Sequence, residues 1–337
     1  MTNSHSNEKY ISVIIVSWNA RKYLMQCLSS IERQKNEEIE VIVVDNASSD
    51  GSPEMVKEYF PFSKLIQTGR NLGFAKANNI GIGLAKGKYI ALVNSDVRLL
   101  DGCLQKLYEF MEKNPEVGIA GPKLLNPDLT LQDSCRKFPS LWNNLCEAVG
   151  LNRLFPKSAF FSGEHMTYFN HDRTLEVDGL VGAFLLVRRK AIEGVGLMDE
   201  RFFIYSEEID WCKRFRDNGW KIIFFPGAEA IHVGRASSSN DPLRFSIAQE
   251  KARFQYWEKH HGLLTCLGIK AIFFLHYMIR LMVFALAFLF RPSKKGIMEE
   301  QLRKRFLCLR ELFSHKGSSG EKVGHCKEFP GRAHVGK

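Results

Sequence analysis

Short runs of β-branched and aromatic residues alternate with longer amphipathic stretches over the first two-thirds of this 337-residue chain. Ile11–Ser17, Glu40–Asp45, Lys64–Thr68 and Tyr89–Val93 predict strands. The first, second and fourth are near-continuous apolar runs, as strands covered on both faces require. Arg21–Arg33, Ser52–Tyr59 and Gly73–Ala85 predict the helices between them. This β-α-β-α alternation predicts a doubly wound, mostly parallel α/β sheet. Ligands bind beyond the carboxyl ends of such strands. Asp45, which closes the second strand, and Asn94-Ser95-Asp96, which follows the fourth, therefore fall on the binding edge.

Beyond Pro122 the pattern loosens. Leu124–Asn170, rich in Asn, Pro and Phe, reads as a long irregular segment over the site. Regular patterning returns with a strand at Val177–Val187, a helix at Glu207–Asn218 and a strand at Trp220–Phe225, then a helix from Pro242 to His261. The resulting division is a polar lead (1–10), a catalytic domain (11–240), C-terminal helices (241–296) and a basic, partly disordered tail (297–337).

Charge and cysteine usage narrow the function. The net charge is +10, and residues 291–337 hold 12 Lys/Arg against 5 Asp/Glu, so seven of those ten charges lie in the tail. A basic tail behind an apolar segment suits an anionic lipid surface. No nucleic-acid-binding motif accompanies it, so no nucleic-acid partner is expected. The eight cysteines include no CxxC pair and fit neither a zinc site nor a small disulfide framework. A polar start leading straight into a strand shows no signal-peptide pattern, and a cytosolic, reduced catalytic part is expected.

Four segments carry candidate chemistry. In VVDNASSDGS (43–52), Asp45 at a strand end can accept hydrogen bonds from a base or ribose, although a turn with helix caps explains the same residues. Asp96, behind YIALV, can hold Mg²⁺ or Mn²⁺, which take oxygen ligands, waters and substrate phosphates; a capping aspartate is the plainer alternative. Glu207, Glu208 and Asp210 crowd the start of a helix, where acids also suit the macrodipole. Like-charged neighbours raise a carboxyl pKa, which tunes a general base, and Asp210 stands four residues before Arg214 as a helical ion pair would. His232, in HVGRASS, can ligate a metal or contact phosphate, or simply pack at a strand end.

In this order the segments SVIIVSWNARKYLMQCLSSI, VIVVDNASSDGS, GRNLGFAKANNIGI, AKGKYIALVNSDV, VDGLVGAFLLVRRKAIEGVGLMDERFFIYSEEIDWCKR and HVGRAS resemble the family 2 glycosyltransferases with the GT-A fold, especially the rhamnosyltransferase-like branch. They run from Ser12 to Ser237, about two-thirds of the chain. The resemblance implies a Rossmann-like sheet flanked by helices, with a C-terminal helical, membrane-associating extension. It implies that Ser17 and Asp45 contact the donor nucleoside, and that Asn71, Gly73, Phe74 and Asn78 line its pocket. Asp96 would be the metal acid of a DxD motif whose first carboxylate is here Asn94, and His232 would assist the metal or diphosphate. Gly182 and Ala183 would edge the sugar pocket, and Glu208, of a Glu207-Glu208 pair where the family has Glu-Asp, would be the base. The implied reaction is a metal-assisted (Mg²⁺ or Mn²⁺) inverting transfer of a sugar, rhamnose by branch, from a dTDP- or UDP-linked donor to a glycan or lipid-linked acceptor. The family's processive QxxRW signature is absent, which implies addition of one or a few sugars.

Ala271–Phe290 is apolar for about a bilayer's depth. Arg280 near its middle and Arg291, Lys294 and Lys295 behind it favour a helix lying in the interface, at the inner face of the cell membrane, over one that spans. A helix buried in the protein is the alternative. For the chain as a whole, the missing first DxD acid keeps open a catalytically weak sugar-nucleotide-binding or scaffolding subunit. A nucleotidyltransferase fits less well, because SWNARKYL is not a Gly-rich phosphate loop.

Overall fold

A computed structural model describes residues 10–34, 38–234 and 238–290. The expected polar lead before Tyr10, the Arg235–Ser237 part of HVGRAS and the basic tail lie outside them.

In chain order the elements are β1 (Ile11–Ser17), α1 (Arg21–Glu32), β2 (Ile39–Asp45), α2 (Ser52–Tyr59), β3 (Ser63–Gln67), α3 (Phe74–Leu84), β4 (Tyr89–Asn94), β5 (Val97–Leu99), α4 (Cys103–Lys113) and β6 (Val117–Leu125). There follow β7 (Leu131–Gln132), β8 (Cys135–Arg136), α5 (Leu141–Val149), α6 (Leu151–Leu154), β9 (Leu175–Glu176), β10 (Gly179–Leu180), β11 (Phe184–Arg188) and α7 (Arg189–Val195). The described chain ends with α8 (Glu207–Asp217), β12 (Lys221–His232), α9 (Pro242–His260) and α10 (Leu263–Phe290).

The main sheet runs β3-β2-β1-β4-β11-β6-β12-β5, mixed but mostly parallel, with helices on both faces. β1 to β4 are parallel to one another, and β11 enters antiparallel between β4 and β6. Fully buried Val13 and Ile15 point to one face of β1 and Ile14 to the other, so both faces are core, as the unbroken apolar runs require.

Three expectations change. Val177–Val187 is not one strand: β10 leaves the main sheet to pair with β8, and β11 begins only at Phe184. Trp220–Phe225 is the first half of the longer β12, whose register against β6 shifts between Phe225 and Glu229 and then continues to His232. Leu124–Asn170 holds regular structure. β6 runs through Leu125, and α5 starts where the Ser140 side chain accepts from the Asn143 amide and stops at left-handed Gly150.

α9 and α10 form a third apolar cluster through Phe254, Trp257, Ile269, Phe273 and Tyr277, with Phe202 from the loop before α8. Asp210 locks this unit to the domain. Considered above for the base, it is fully buried and accepts from Arg214 Nε (3.0 Å), Lys259 Nζ (2.6 Å) and His260 Nε2 (2.7 Å). Its position explains the difference: two residues after Glu208, it projects roughly 200° around the helix. Burial alone would raise its carboxyl pKa, but His260, Arg214 and Lys259 outweigh burial and hold it at about 2. Asp210→Asn should therefore cost about 3–5 kcal/mol in urea unfolding at neutral pH. The wild-type contribution is complete above the ordinary aspartate range and is lost as pH falls through about 2. An Asp210→Asn protein as stable as wild type at pH 7 would refute this lock.

Candidate functional site

The parallel strands end in polar residues on one edge. Ser17 and Asp45 are register partners at the ends of β1 and β2, and Asn94 ends β4 on the other side of β1. Two strand spacings, roughly 10 Å, separate Asp45 from Asn94. Asp45 accepts the Ser48 amide through Oδ2 (3.1 Å), while its Oδ1 and the Ser17 hydroxyl are buried with no partner.

Asn46, which sequence reading treated only as part of a turn, organises the next loop. Its Nδ2 donates to Asn71 Oδ1 and to the Gly73 carbonyl (both 3.1 Å), and its Oδ1 accepts the Leu72 amide (2.8 Å). Gly73 has φ +86°, and a Cβ there would stand 2.4 Å from the Phe203 carbonyl oxygen. That carbonyl accepts the Phe74 amide (2.6 Å), so the start of α3 is joined to the loop before α8. Asn78 is buried and donates to the Phe74 carbonyl within its own helix (3.0 Å). Asn79, another missed residue, exchanges bonds with the backbone of Met198 on the segment leading to α8.

Asp96 lies in the tight turn between β4 and β5. β5 pairs antiparallel with the end of β12, and the Val233 amide donates to the Asp96 carbonyl (3.1 Å). This places His232 Nε2 3.4 Å from Asp96 Oδ1, with both side chains largely buried. The Asn94 amide donates to the Ala183 carbonyl (2.9 Å), so the break before β11 lies against the Asn94–Asp96 turn.

Gly182, in that break, faces the start of α8: a Cβ there would lie 3.3 Å from Glu208 Cβ. α8 is entered through Tyr205 (φ +71°) and Ser206 (φ +65°), consecutive left-handed residues without glycine's freedom. Burial raises the Glu208 carboxyl pKa against the pull of Arg136, a neighbour no sequence pattern indicated. Glu207 is raised well above the ordinary range, first by burial and then by the charge of Glu208.

Buried polar atoms in a folded protein are nearly always bonded. Among the described residues eight buried side-chain N/O atoms have no partner, and five belong to Ser17, Asp45, Asn94, Glu207 and Glu208. They mark one edge of the sheet. A carboxylate and an imidazole could there hold a divalent cation. Among the described residues no group of three His, Cys, Asp or Glu converges on such a point, so phosphates and water would have to complete the shell, as suits Mg²⁺ or Mn²⁺.

The chain is similar to known proteins. The chain is 29% identical over 263 residues to the N-acetylglucosaminyl-diphospho-decaprenol L-rhamnosyltransferase of Mycobacterium tuberculosis, covering 75% of this chain and 85% of that protein. It is 26% identical over 232 residues to the rhamnosyltransferase WbbL of Escherichia coli strain K12, covering 66% and 83%. The mannosyltransferase PcManGT from Pyrobaculum calidifontis, solved in complex with GDP-Man and Mn²⁺, superposes with a TM-score of 0.53 at 15% identity over 90% of this chain and 86% of that one, a likeness of fold. Residues 12–195, which carry Ser17, Asp45, Asn94, Asp96 and Gly182, match glycosyl transferase family 2, and the chain belongs to that family, a glycosyltransferase with the GT-A fold.

Proposed function

We propose that this enzyme transfers a single sugar, rhamnose as in the names of two relatives, from a nucleoside diphosphate (dTDP or UDP) to a lipid-linked glycan acceptor, with inversion. The cluster of unbonded buried polar atoms at the carboxyl edge of the sheet carries this reading. Ser17 and Asp45 take the nucleoside, with Asn71, Gly73 and Phe74 shaping the loop beside it. Asn94, Gly182 and Ala183 border the sugar. Asp96 and His232 would hold Mg²⁺ or Mn²⁺, which supplies positive charge for the departing diphosphate.

Glu208 takes the proton of the acceptor hydroxyl as it attacks the anomeric carbon, and one displacement inverts that centre. Its raised proton affinity makes it a stronger base than a solvated glutamate. Glu207 lies deeper beside it, and burial and the charge of Glu208 raise its proton affinity well above the ordinary range. Glu208→Gln should leave donor affinity nearly unchanged and lower turnover by about 10²–10⁴-fold. The base must be ionised, so wild-type kcat/KM should fall on the acid side at a pH above the ordinary glutamate range, and this limb should vanish in the variant. Near wild-type turnover in Glu208→Gln would remove it from the role.

The acceptor's lipid requires a membrane, and α10 supports one. Among the described residues Leu263–Val283 is long and apolar enough to cross a bilayer. Its inner side packs in the third cluster through Cys266, Ile269, Phe273 and Tyr277, while Leu264 (83% exposed), Leu267, Phe274, Met278 and Met282 (58%) form an outward apolar stripe. One packed side and one exposed apolar side suit a helix lying in the inner face of the cell membrane with its stripe among lipids, and the net positive charge of residues 291–337 suits anionic headgroups. The full chain should co-sediment with anionic vesicles, less so at high salt, and Phe274→Glu with Met278→Glu should weaken binding about tenfold or more. Wild-type protein that stays in the supernatant at low salt would rule this out.

A further inference from the structure

The pairing of His232 Nε2 with Asp96 Oδ1 at 3.4 Å depends on which imidazole nitrogen carries the proton. A chain of hydrogen bonds ending on backbone carbonyls decides this. Asn126 Nδ2 donates to the Leu131 carbonyl (3.1 Å) and to Thr130 Oγ1 (3.0 Å), and the Thr130 hydroxyl is itself committed to Asp128 Oδ1 (2.6 Å). Carbonyls only accept, so the Asn126 amide is oriented with Oδ1 free to receive a donor. Gln132 Nε2 donates to that Oδ1 (2.9 Å) and to the His232 carbonyl (3.2 Å). Both amide protons of Gln132 are thereby used, and its Oε1 is turned to His232 Nδ1 at 2.7 Å.

An acceptor at 2.7 Å requires a proton on Nδ1. With the proton on Nδ1, the lone pair of a neutral ring lies on Nε2, the nitrogen that faces Asp96 Oδ1. Nε2 and Asp96 Oδ1 then stand side by side as acceptors, and roughly 3 Å is the spacing of neighbouring ligands on one octahedral cation. We infer that Gln132 is a positioning residue that fixes His232 in its Nδ1–H tautomer, so that Nε2 and Asp96 together face a divalent cation. The inference rests on the reading of Asp96 and His232 as the cation's protein ligands.

The first measurement is the tautomer itself, by long-range ¹H–¹⁵N correlation on ¹⁵N-histidine-labelled, metal-free full-length protein at about pH 8.5, above the ordinary histidine range. His232→Gln assigns the resonance. The Nδ1–H form is expected; the Nε2–H form or an imidazolium would overturn the proposal. The second is Mn²⁺ affinity, read by electron paramagnetic resonance with saturating nucleoside diphosphate. Gln132→Leu should release the tautomer and weaken Mn²⁺ binding by about 10–100-fold. Wild-type protein with the Nδ1–H form but no Mn²⁺ affinity would overturn the cation reading itself. Mn²⁺ affinity insensitive to Gln132→Leu would overturn the role of Gln132 alone. If the leucine variant does not fold, the wild-type tautomer still decides the matter.

Discussion

The site depends on one pairing, the antiparallel entry of β11 between β4 and β6. Phe184 pairs with Val93, so the residues just before β11 stand against the end of β4, and the Ala183 carbonyl takes the Asn94 amide. A parallel strand in that place would have carried its preceding loop to the opposite edge of the sheet. Antiparallel entry delivers Gly182 and Ala183 to the edge where β1, β2 and β4 already end. Gly182, lacking a side chain, then admits the first turn of α8 with Glu208. Acids far apart in sequence are brought to one edge by this single reversal.

The same edge concentrates local cost. Ala47, Tyr205 and Ser206 hold positive φ without being glycine, each at roughly 1–3 kcal/mol. The strain lies directly after β2, which ends in Asp45, and directly before Glu207 and Glu208. Buried polar atoms without partners add their own desolvation cost. Asn46 and Asn79 offset part of it by bonding loops to each other and to α3, keeping the edge open without letting it collapse. A ligand that supplied the missing hydrogen bonds would relieve this tension, which is why these unbonded atoms weigh more than any single motif.

The parallel half of the fold was legible because β1, β2 and β4 are buried on both faces and bounded by turn residues, so these strands and α2 fall within a residue of expectation. Asp45 and Asp96 were legible for the same reason: position at a strand end is a local property. What escaped was non-local. The break at Val181–Ala183 hides in an apolar run, because the same residues serve a strand or a turn depending on what lies opposite. α5 was obscured by Asn143 and Asn144, weak helix formers, although Ser140 and Gly150 stand at its ends. Gln132 and Arg136 carry no pattern at all, and their meaning comes only from the strand pairings that place them. Asp210 was grouped with its neighbours by spacing, but the partners that occupy it come from α9, about fifty residues later.

That occupied acid ties chemistry to location. α8 presents Glu208 toward the sheet edge and, from its other side, Asp210 toward Lys259 and His260 at the end of α9. α9 packs on α10, and Phe202, from the loop that also joins α3, is buried in their cluster. The helix that carries the proposed base is therefore fixed by an ionic lock to the helices that carry the apolar stripe. A rigid link of this kind sets the height and tilt of the site above a surface, which matters when the acceptor is held in that surface by its own lipid. A loosely tethered anchor would only raise the local concentration of enzyme. In the proposed membrane-bound arrangement, a base on a helix locked to the anchor would also restrict which acceptor hydroxyl can approach, so the stripe and the lock together would act on specificity as well as on attachment.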